Sequence, residues 1–216
     1  MSHEHAAQGG RCKVILFALA GALTLAGGCS TVPPSAADPR PAHWATPVTV
    51  TPGLHNLYRI NATLYRSAQP TTQGLEFLVT QPTLSAADEP VKTVVSLRAF
   101  NDDIPPGPAS PKLRVEQIRY KTWHPENEDV VKFLRIATTP ALQPVLVHCQ
   151  DGSVRTGTMV AIYRVAFEGW TKAQATDEMI HGGFGFNPMS DDSIRYIEAL
   201  DVNAIKAEVA KQGVWQ

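Results

Sequence analysis

The residue types with the greatest chemical reach stand together in the run His148-Cys149-Gln150-Asp151-Gly152-Ser153-Val154-Arg155-Thr156-Gly157. A cysteine acts as a nucleophile only as the thiolate, and cations or a helix N-terminus beside it favour that form. Arg155 offers a planar fork of N–H groups suited to two oxygens of one oxyanion. Gln150 to Val154, with a glycine among them, suit a loop that curls onto the start of a helix. Such a loop aims several backbone N–H groups at one point and cradles an anion. A thiolate beneath a phosphoryl group held there could attack phosphorus and form a covalent intermediate. Thr156 would carry a hydroxyl beside the sulfur, placed to stabilise the thiolate when hydrolysis releases it. The plain alternative for Cys149 is a small buried hydrophobe.

That chemistry needs a strand before the loop and a helix after it. Pro144-Val-Leu-Val-His148 is a short apolar strand, and Thr156 to Glu168 has helical spacing with Met159, Val160, Tyr163 and Phe167 on one stripe. Further strands are read at 57–60 and 64–66 (a possible hairpin), at Thr93–Leu97 and at Val115–Trp123. Helices are read from Pro70 to Val79 with Thr71 or Thr72 as cap, from Asp129 to Ile136, from Thr171 to Ile180, and from a Ser190 cap onward. In this last helix Ile194, Ile197, Leu200, Ile205 and Val209 repeat at helical spacing. Four prolines make Asn101–Pro111 a loop. Alternating strands and helices predict an α/β domain with a mostly parallel central sheet flanked by helices, over about 51–212.

The N-terminus reads as an address. Arg11 and Lys13 precede thirteen uncharged residues, Val14 to Ala26, too short for a permanent membrane span of about 20 residues. The ending Leu25-Ala-Gly-Gly-Cys29 resembles a bacterial lipoprotein signal, which implies lipidation of Cys29; the alternatives are a plain secretory leader cut nearby, or a short anchor never cut. In the Gram-negative lipoproteins that this leader resembles, absence of Asp after the cysteine implies the outer membrane, facing the periplasm, and Ser30 stands at that place. Residues 1–29 are thus expected as leader and 30–50 as a proline-rich tether. With Cys12 in the leader and Cys29 lipidated, Cys149 is alone in an exported domain. An oxidising compartment usually pairs or avoids thiols, so a lone one is a candidate for chemistry. The chain of 216 residues is 44% hydrophobic and 18% charged, which excludes disorder, and its net charge of −1 gives no general attraction to nucleic acid.

Cys149-x5-Arg155-Thr156, preceded by His148 and an apolar strand, resembles the signature of the cysteine-dependent protein tyrosine and dual-specificity phosphatases. Residues 144–161 and the segment Leu64-Tyr-Arg-Ser-Ala-Gln-Pro70 resemble the bacterial dual-specificity-like branch, and the likeness spans roughly 55 to 200. The resemblance implies Cys149 as nucleophile, Arg155 as phosphate clamp and the amides of Gln150, Asp151, Gly152, Ser153, Val154 and Arg155 as cradle. It implies that His148 orients the loop and tunes the thiol, against the alternative of a satisfied core histidine. The implied fold is that of the protein tyrosine phosphatases. Relatives often carry His where Asp151 stands and an acid where Val154 stands. Asp151 would oppose thiolate formation if it pointed inward.

The leaving oxygen needs a proton donor. In the family an upstream loop supplies an acid, and His124-Pro-Glu126-Asn-Glu128-Asp129 occupies that place. Glu126 is preferred, Asp129 next, and Asp129 also suits a helix cap. His124, Glu128, Asp102 and Asp103 are further candidates. Asn187, in the Gly-rich loop from His181, matches an amide that lines the site in the family; a simple helix connection is the alternative. The dispersed histidines suggest no metal site, and no cofactor is implied.

The expected function is phosphate monoester hydrolysis, on phosphorylated protein or a small phosphate ester, by a monomer anchored to the membrane through lipid. The absence of Lys from the loop argues against polyphosphorylated inositols, while the Asp-Gly pair, shared with the myotubularin group, keeps phosphoinositides open. A catalytically silent phosphate- or phosphoprotein-binding lipoprotein is the competing reading, and a sulfur-transfer or redox enzyme a third.

Overall fold

Val145–His148, the apolar tetrapeptide before the cysteine, forms the strand at the heart of the sheet. The computed structural model describes residues 40–49, 52–80, 89–100, 112–121, 123, 125–187 and 189–211. In chain order the elements are β1 (Thr46–Pro47), β2 (Tyr58–Arg59), β3 (Leu64–Ser67), α1 (Thr72–Thr80), β4 (Thr93–Ser96), β5 (Arg114–Gln117) and α2 (Asn127–Thr138). There follow β6 (Val145–His148), α3 (Val154–Phe167), α4 (Lys172–His181), α5 (Asp191–Ala199) and α6 (Val202–Lys211). The sheet order is β1-β2-β3-β6-β4-β5. β6 pairs in parallel with β3 and β4, and β4 with β5. A strand with parallel neighbours and both faces covered must be apolar throughout, which is why β6 does not alternate. β1, β2 and β3 form an antiparallel edge.

Alternation along the strands divides the core. Tyr65, Val94 and Leu146 face α1 with Leu75 and Leu78. Leu64, Val95, Val145 and Val147 face the other side, against Phe133, Leu134, Met159 and Ile162. Ser67, Ser96 and His148 lie in one row across β3, β4 and β6, so three strands end level at the edge from which Cys149 leaves. Ligands of parallel α/β sheets gather at such carboxyl ends.

Four sequence expectations need correction. Residues 40–49, read as tether because of their prolines, belong to the folded body. Thr46 and Pro47 pair with Arg59 and Tyr58, Ala45 is fully buried, and its N–H donates to Glu178 Oε1 at 2.5 Å. Proline is tolerated there because β1 is an edge strand. The helix expected from Ser190 is two helices. Leu200 is extended, and Asp201 restarts the helix by accepting the N–H of Ala204 at 3.0 Å on its side chain. The strand read to Trp123 stops at Gln117. α3 has no single apolar stripe; it packs against α2, α4, α5, α6 and β6, so nearly every side chain is buried while Phe167 is exposed. The cap at Thr71 is observed: its hydroxyl accepts the N–H of Gly74.

Candidate active site

β6 delivers Cys149, residues 149–153 turn, and α3 begins at Val154, two residues before the expected start. Arg155 therefore sits in the first helical turn. Among the described residues, none of the backbone N–H groups from Gln150 to Thr156 has an acceptor; the first intrahelical bond runs from Gly157 N–H to Ser153 O at 2.6 Å. Ser153, the residue before the helix, makes no side-chain cap bond to those amides; its hydroxyl donates to Gly185 O at 2.7 Å. A row of unclaimed donors at a helix N-terminus is an anion site in waiting. Gly152 makes the curl feasible. Its φ is +70°, and a Cβ there would lie 2.5 Å from Ala68 N and from the carbonyl of Ser67.

Cys149 is 2% exposed, yet it lines a cleft of about 560 Å³. Ala99, Phe100, Tyr120 and Trp123 line the cleft with Asp151, Ser153, Val154 and Arg155, and Gly185, Asn187 and Ser190 complete it. Phe100 and Trp123 stack with centroids 6.1 Å apart and planes 15° apart, although both are more than 60% exposed (74% and 62%). The half-buried Arg155 is tied only loosely, with Nη1 donating to Leu97 O at 3.5 Å, so its guanidinium is available to a ligand.

His148 is fully buried, with Nδ1 3.2 Å from Cys149 O. A carbonyl only accepts, so Nδ1 carries the hydrogen and Nε2 is the bare nitrogen. Nε2 has no partner. Burial pulls the histidine pKa down to about 4, opposed by the bond to Cys149 and helped by Arg98 and Arg155. His148 is thus neutral near pH 7 and holds the loop by its backbone. Thr156 is also fully buried, does not line the cleft, and its hydroxyl has no partner.

The cleft gathers some of the expected residues and leaves others aside. Asp151, Ser153, Val154, Arg155 and Asn187 line it; Gln150 and Gly152 do not. Asp151 is exposed and is the one carboxylate among the described lining residues. Neither Glu126 nor Asp129 lines the cleft. Glu126 is the residue before α2, makes no side-chain cap bond there, and is exposed. Asp129 is half-buried, near Tyr120 and Tyr196; burial, then Glu126, raises its pKa, as a proton donor requires. Cys29, Asp102, Asp103 and His124 lie outside the described residues. No group of three His, Cys, Asp or Glu is placed to hold a metal among the described residues.

Three contributors escape sequence reading. Asn56, at φ +54°, donates Nδ2 to Asp151 O at 2.8 Å and to Phe184 O at 3.0 Å, clipping the cysteine loop to the 182–187 loop. Arg66 lies buried behind the cysteine loop, where burial lowers its pKa to about 10 and leaves it charged. The Phe100–Trp123 pair forms an aromatic wall. Arg66 and Trp123 lie in segments the sequence singles out, but nothing in a four-residue strand marks an arginine as buried, and nothing in the strand pattern to Trp123 marks the stacking with Phe100.

Comparison with known proteins agrees with this geometry. A sequence profile of the family described as "DSP-PTPase phosphatase fused to NAD+ Kinase" matches residues 56–195. The dual specificity protein phosphatase TpbA of Pseudomonas aeruginosa PAO1 is 35% identical over 199 residues, covering 92% of this chain and 84% of that protein. The inositol diphosphatase SIW14 of Saccharomyces cerevisiae is 31% identical over 86 residues, 40% of this chain and 29% of that protein. In structure, the crystal form of P. aeruginosa TpbA matches 80% of this chain and 100% of its own with a TM-score of 0.65 and 35% identity. The cysteine-to-serine variant of TpbA in complex with phosphotyrosine gives 0.65, 34% identity, 81% and 100%. The fold, the unclaimed amides around Cys149 and this likeness over most of the chain coincide: the chain belongs to the dual-specificity-like branch of the cysteine-dependent protein tyrosine phosphatases and is a phosphatase hydrolase.

Proposed function

We propose that the protein dephosphorylates phosphotyrosine in proteins through a phosphocysteine intermediate. The observation that carries this reading is the row of seven amides, Gln150 to Thr156, without protein acceptors around a cysteine in an aromatic-walled cleft. The amides and Arg155 hold the three non-bridging oxygens of the ester. The Cys149 thiolate attacks phosphorus, the S–P bond forms, and the bond from phosphorus to the tyrosine oxygen breaks. The phenolate leaves and takes a proton from solvent water. Water then attacks the phosphocysteine, the S–P bond breaks, and inorganic phosphate and the thiolate are released. Phe100 and Trp123 offer apolar faces to a phenyl ring, and the relative captured with phosphotyrosine supports the same substrate. A phenol, with a pKa of about 10, is the leaving group least dependent on an acid, which suits a cleft whose described lining holds neither Glu126 nor Asp129.

Purified protein should hydrolyse an aryl phosphate and a phosphotyrosyl peptide in the presence of chelator. Cys149→Ser should abolish turnover and keep phosphate binding. Full turnover in that variant would remove Cys149 from the mechanism.

The leader supports export and anchoring through a lipidated Cys29 on the periplasmic side of the outer membrane, with the domain acting as a monomer. Cys29→Ala should move the protein from the membrane fraction to the soluble one. Retention in the membrane by that variant would overturn the anchor.

A further inference from the structure

A loop that turns its amide hydrogens toward one side presents carbonyl oxygens to the other. Behind the cysteine loop two of those oxygens are met by one side chain. Arg66, on β3, donates Nη2 to Gly152 O at 2.7 Å and, more weakly, to Ser153 O at 3.4 Å. It is 1% exposed, and its guanidinium carbon lies 3.6 Å from the centroid of the Phe184 ring. Among the described residues no carboxylate pairs with it. Glu178, the acid whose charge it feels most, is held by Arg164 through two bonds of 2.5 and 2.6 Å. A buried cation without an ion pair is costly, and here peptide dipoles supply the compensation. Gly157 of α3 lies beside the guanidinium: a Cβ there would touch Arg66 Nη2 at an ordinary 3.6 Å and crowd Met179 Cγ at 2.9 Å.

We propose that Arg66 is a positioning residue for the phosphate cradle, holding the curl of the loop through the carbonyls of Gly152 and Ser153 and polarising the two peptide units whose N–H groups belong to Ser153 and Val154. Those two N–H groups have no protein acceptor, and both residues line the cleft. A cation on the carbonyl side of a peptide strengthens the donor on the other side, because hydrogen bonds in a chain polarise one another. The charge of Arg66 therefore reaches the bound phosphoryl group through the loop. This rests on the loop being the phosphate site. The charged and titratable groups that face the loop are Asp151 and Arg155 within it, neutral His148 on β6, Arg98 after β4, and Arg66 from β3 with Glu178 of α4 beyond.

The test uses the full-length protein. Arg66→Gln keeps a donor and removes the charge; Arg66→Lys keeps a charge with a single donor atom. Melting curves report folding, calorimetry reports affinity for inorganic phosphate, and iodoacetamide alkylation against pH reports the Cys149 thiolate. Losing one charge-assisted interaction should weaken phosphate binding about tenfold in the Gln variant. KM for an aryl phosphate should rise with it more than kcat falls, and the alkylation midpoint should move to higher pH. The Lys variant should recover part of each. A folded Gln variant with unchanged phosphate affinity and an unchanged alkylation midpoint overturns the proposal, since a merely structural role lowers the melting temperature alone. If the Gln variant does not fold, the wild-type protein decides: the guanidinium 15N–1H resonances of Arg66 must shift when phosphate saturates the loop, and resonances that stay still overturn the proposal. Wild-type protein that binds phosphate yet hydrolyses no ester would refute the phosphatase reading while leaving the phosphate-binding comparison intact.

Discussion

Acidification should destabilise this domain through one histidine. His148 is fully buried at the end of the central strand, with Nδ1–H on Cys149 O and Nε2 without a partner. Protonating Nε2 would create a buried cation whose new N–H has no acceptor, near Arg98 and Arg155. The folded pKa is accordingly down at about 4, against 6.5 in the unfolded chain. Between those values the unfolded state binds the extra proton, so stability must rise with pH there and fall as the solution is acidified. Above 6.5 the group contributes nothing to the slope, and below about 4 its loss is complete. At about 1.4 kcal/mol for each pH unit, the loss comes to about 3 kcal/mol, a large part of the roughly 5–15 kcal/mol typical of a whole domain. Urea unfolding followed by tryptophan fluorescence from pH 7 to pH 4, at fixed ionic strength, measures it. His148→Asn is the reference, because an amide can donate where Nδ1 does and does not titrate in this range. The two curves of stability against pH should separate by about 3 kcal/mol on acidification. Parallel curves, or a His148 ring titrating near its ordinary value by NMR, would refute the reasoning.

Two further outcomes follow from the packing. Gly152→Ala puts a Cβ 2.5 Å from the backbone of Ser67 and Ala68 at a left-handed φ. It should cost about 1–3 kcal/mol in strain and lower kcat/KM about a hundredfold through the displaced cradle, which kinetics and melting curves check together. A chain starting at residue 51 loses β1 and leaves Glu178 without the N–H of Ala45. Such a chain should be less stable by about 3 kcal/mol, roughly 6–12 °C in Tm for a domain of this size; an unchanged Tm would show that residues 40–49 contribute nothing.

The signature around Cys149 was legible because its meaning is local: an apolar run, a glycine and the start of a helix within fourteen residues. The ends of α1 and α4 were legible for the same reason, through Thr71 and Thr171, whose side chains accept the N–H groups of Gly74 and Gln174. What depends on distant partners was not. Ala45 looks like linker until Glu178, 133 residues away, takes its N–H. Arg66 reads as one more polar residue of a short strand until Gly152 arrives 86 residues later. Asp201 interrupts a regular apolar spacing with a cap whose strength periodicity does not register. The acidic stretch 126–129 was sought as proton donor from its place between strand and helix, but place in the chain does not say which way a side chain projects, and the described cleft receives Asp151 instead.

The position of β6 has a consequence for the life of the polypeptide before it is complete. The strand bearing the cysteine is inserted between two strands made earlier, and the glycine turn closes only against the backbone of Ser67 and Ala68. Contacts so distant along the chain form late, after the cost of closing long loops has been met. A chain in which β6 has not yet docked between β3 and β4 lacks the assembled amide loop around Cys149. On the proposed mechanism, turnover waits for that docking step.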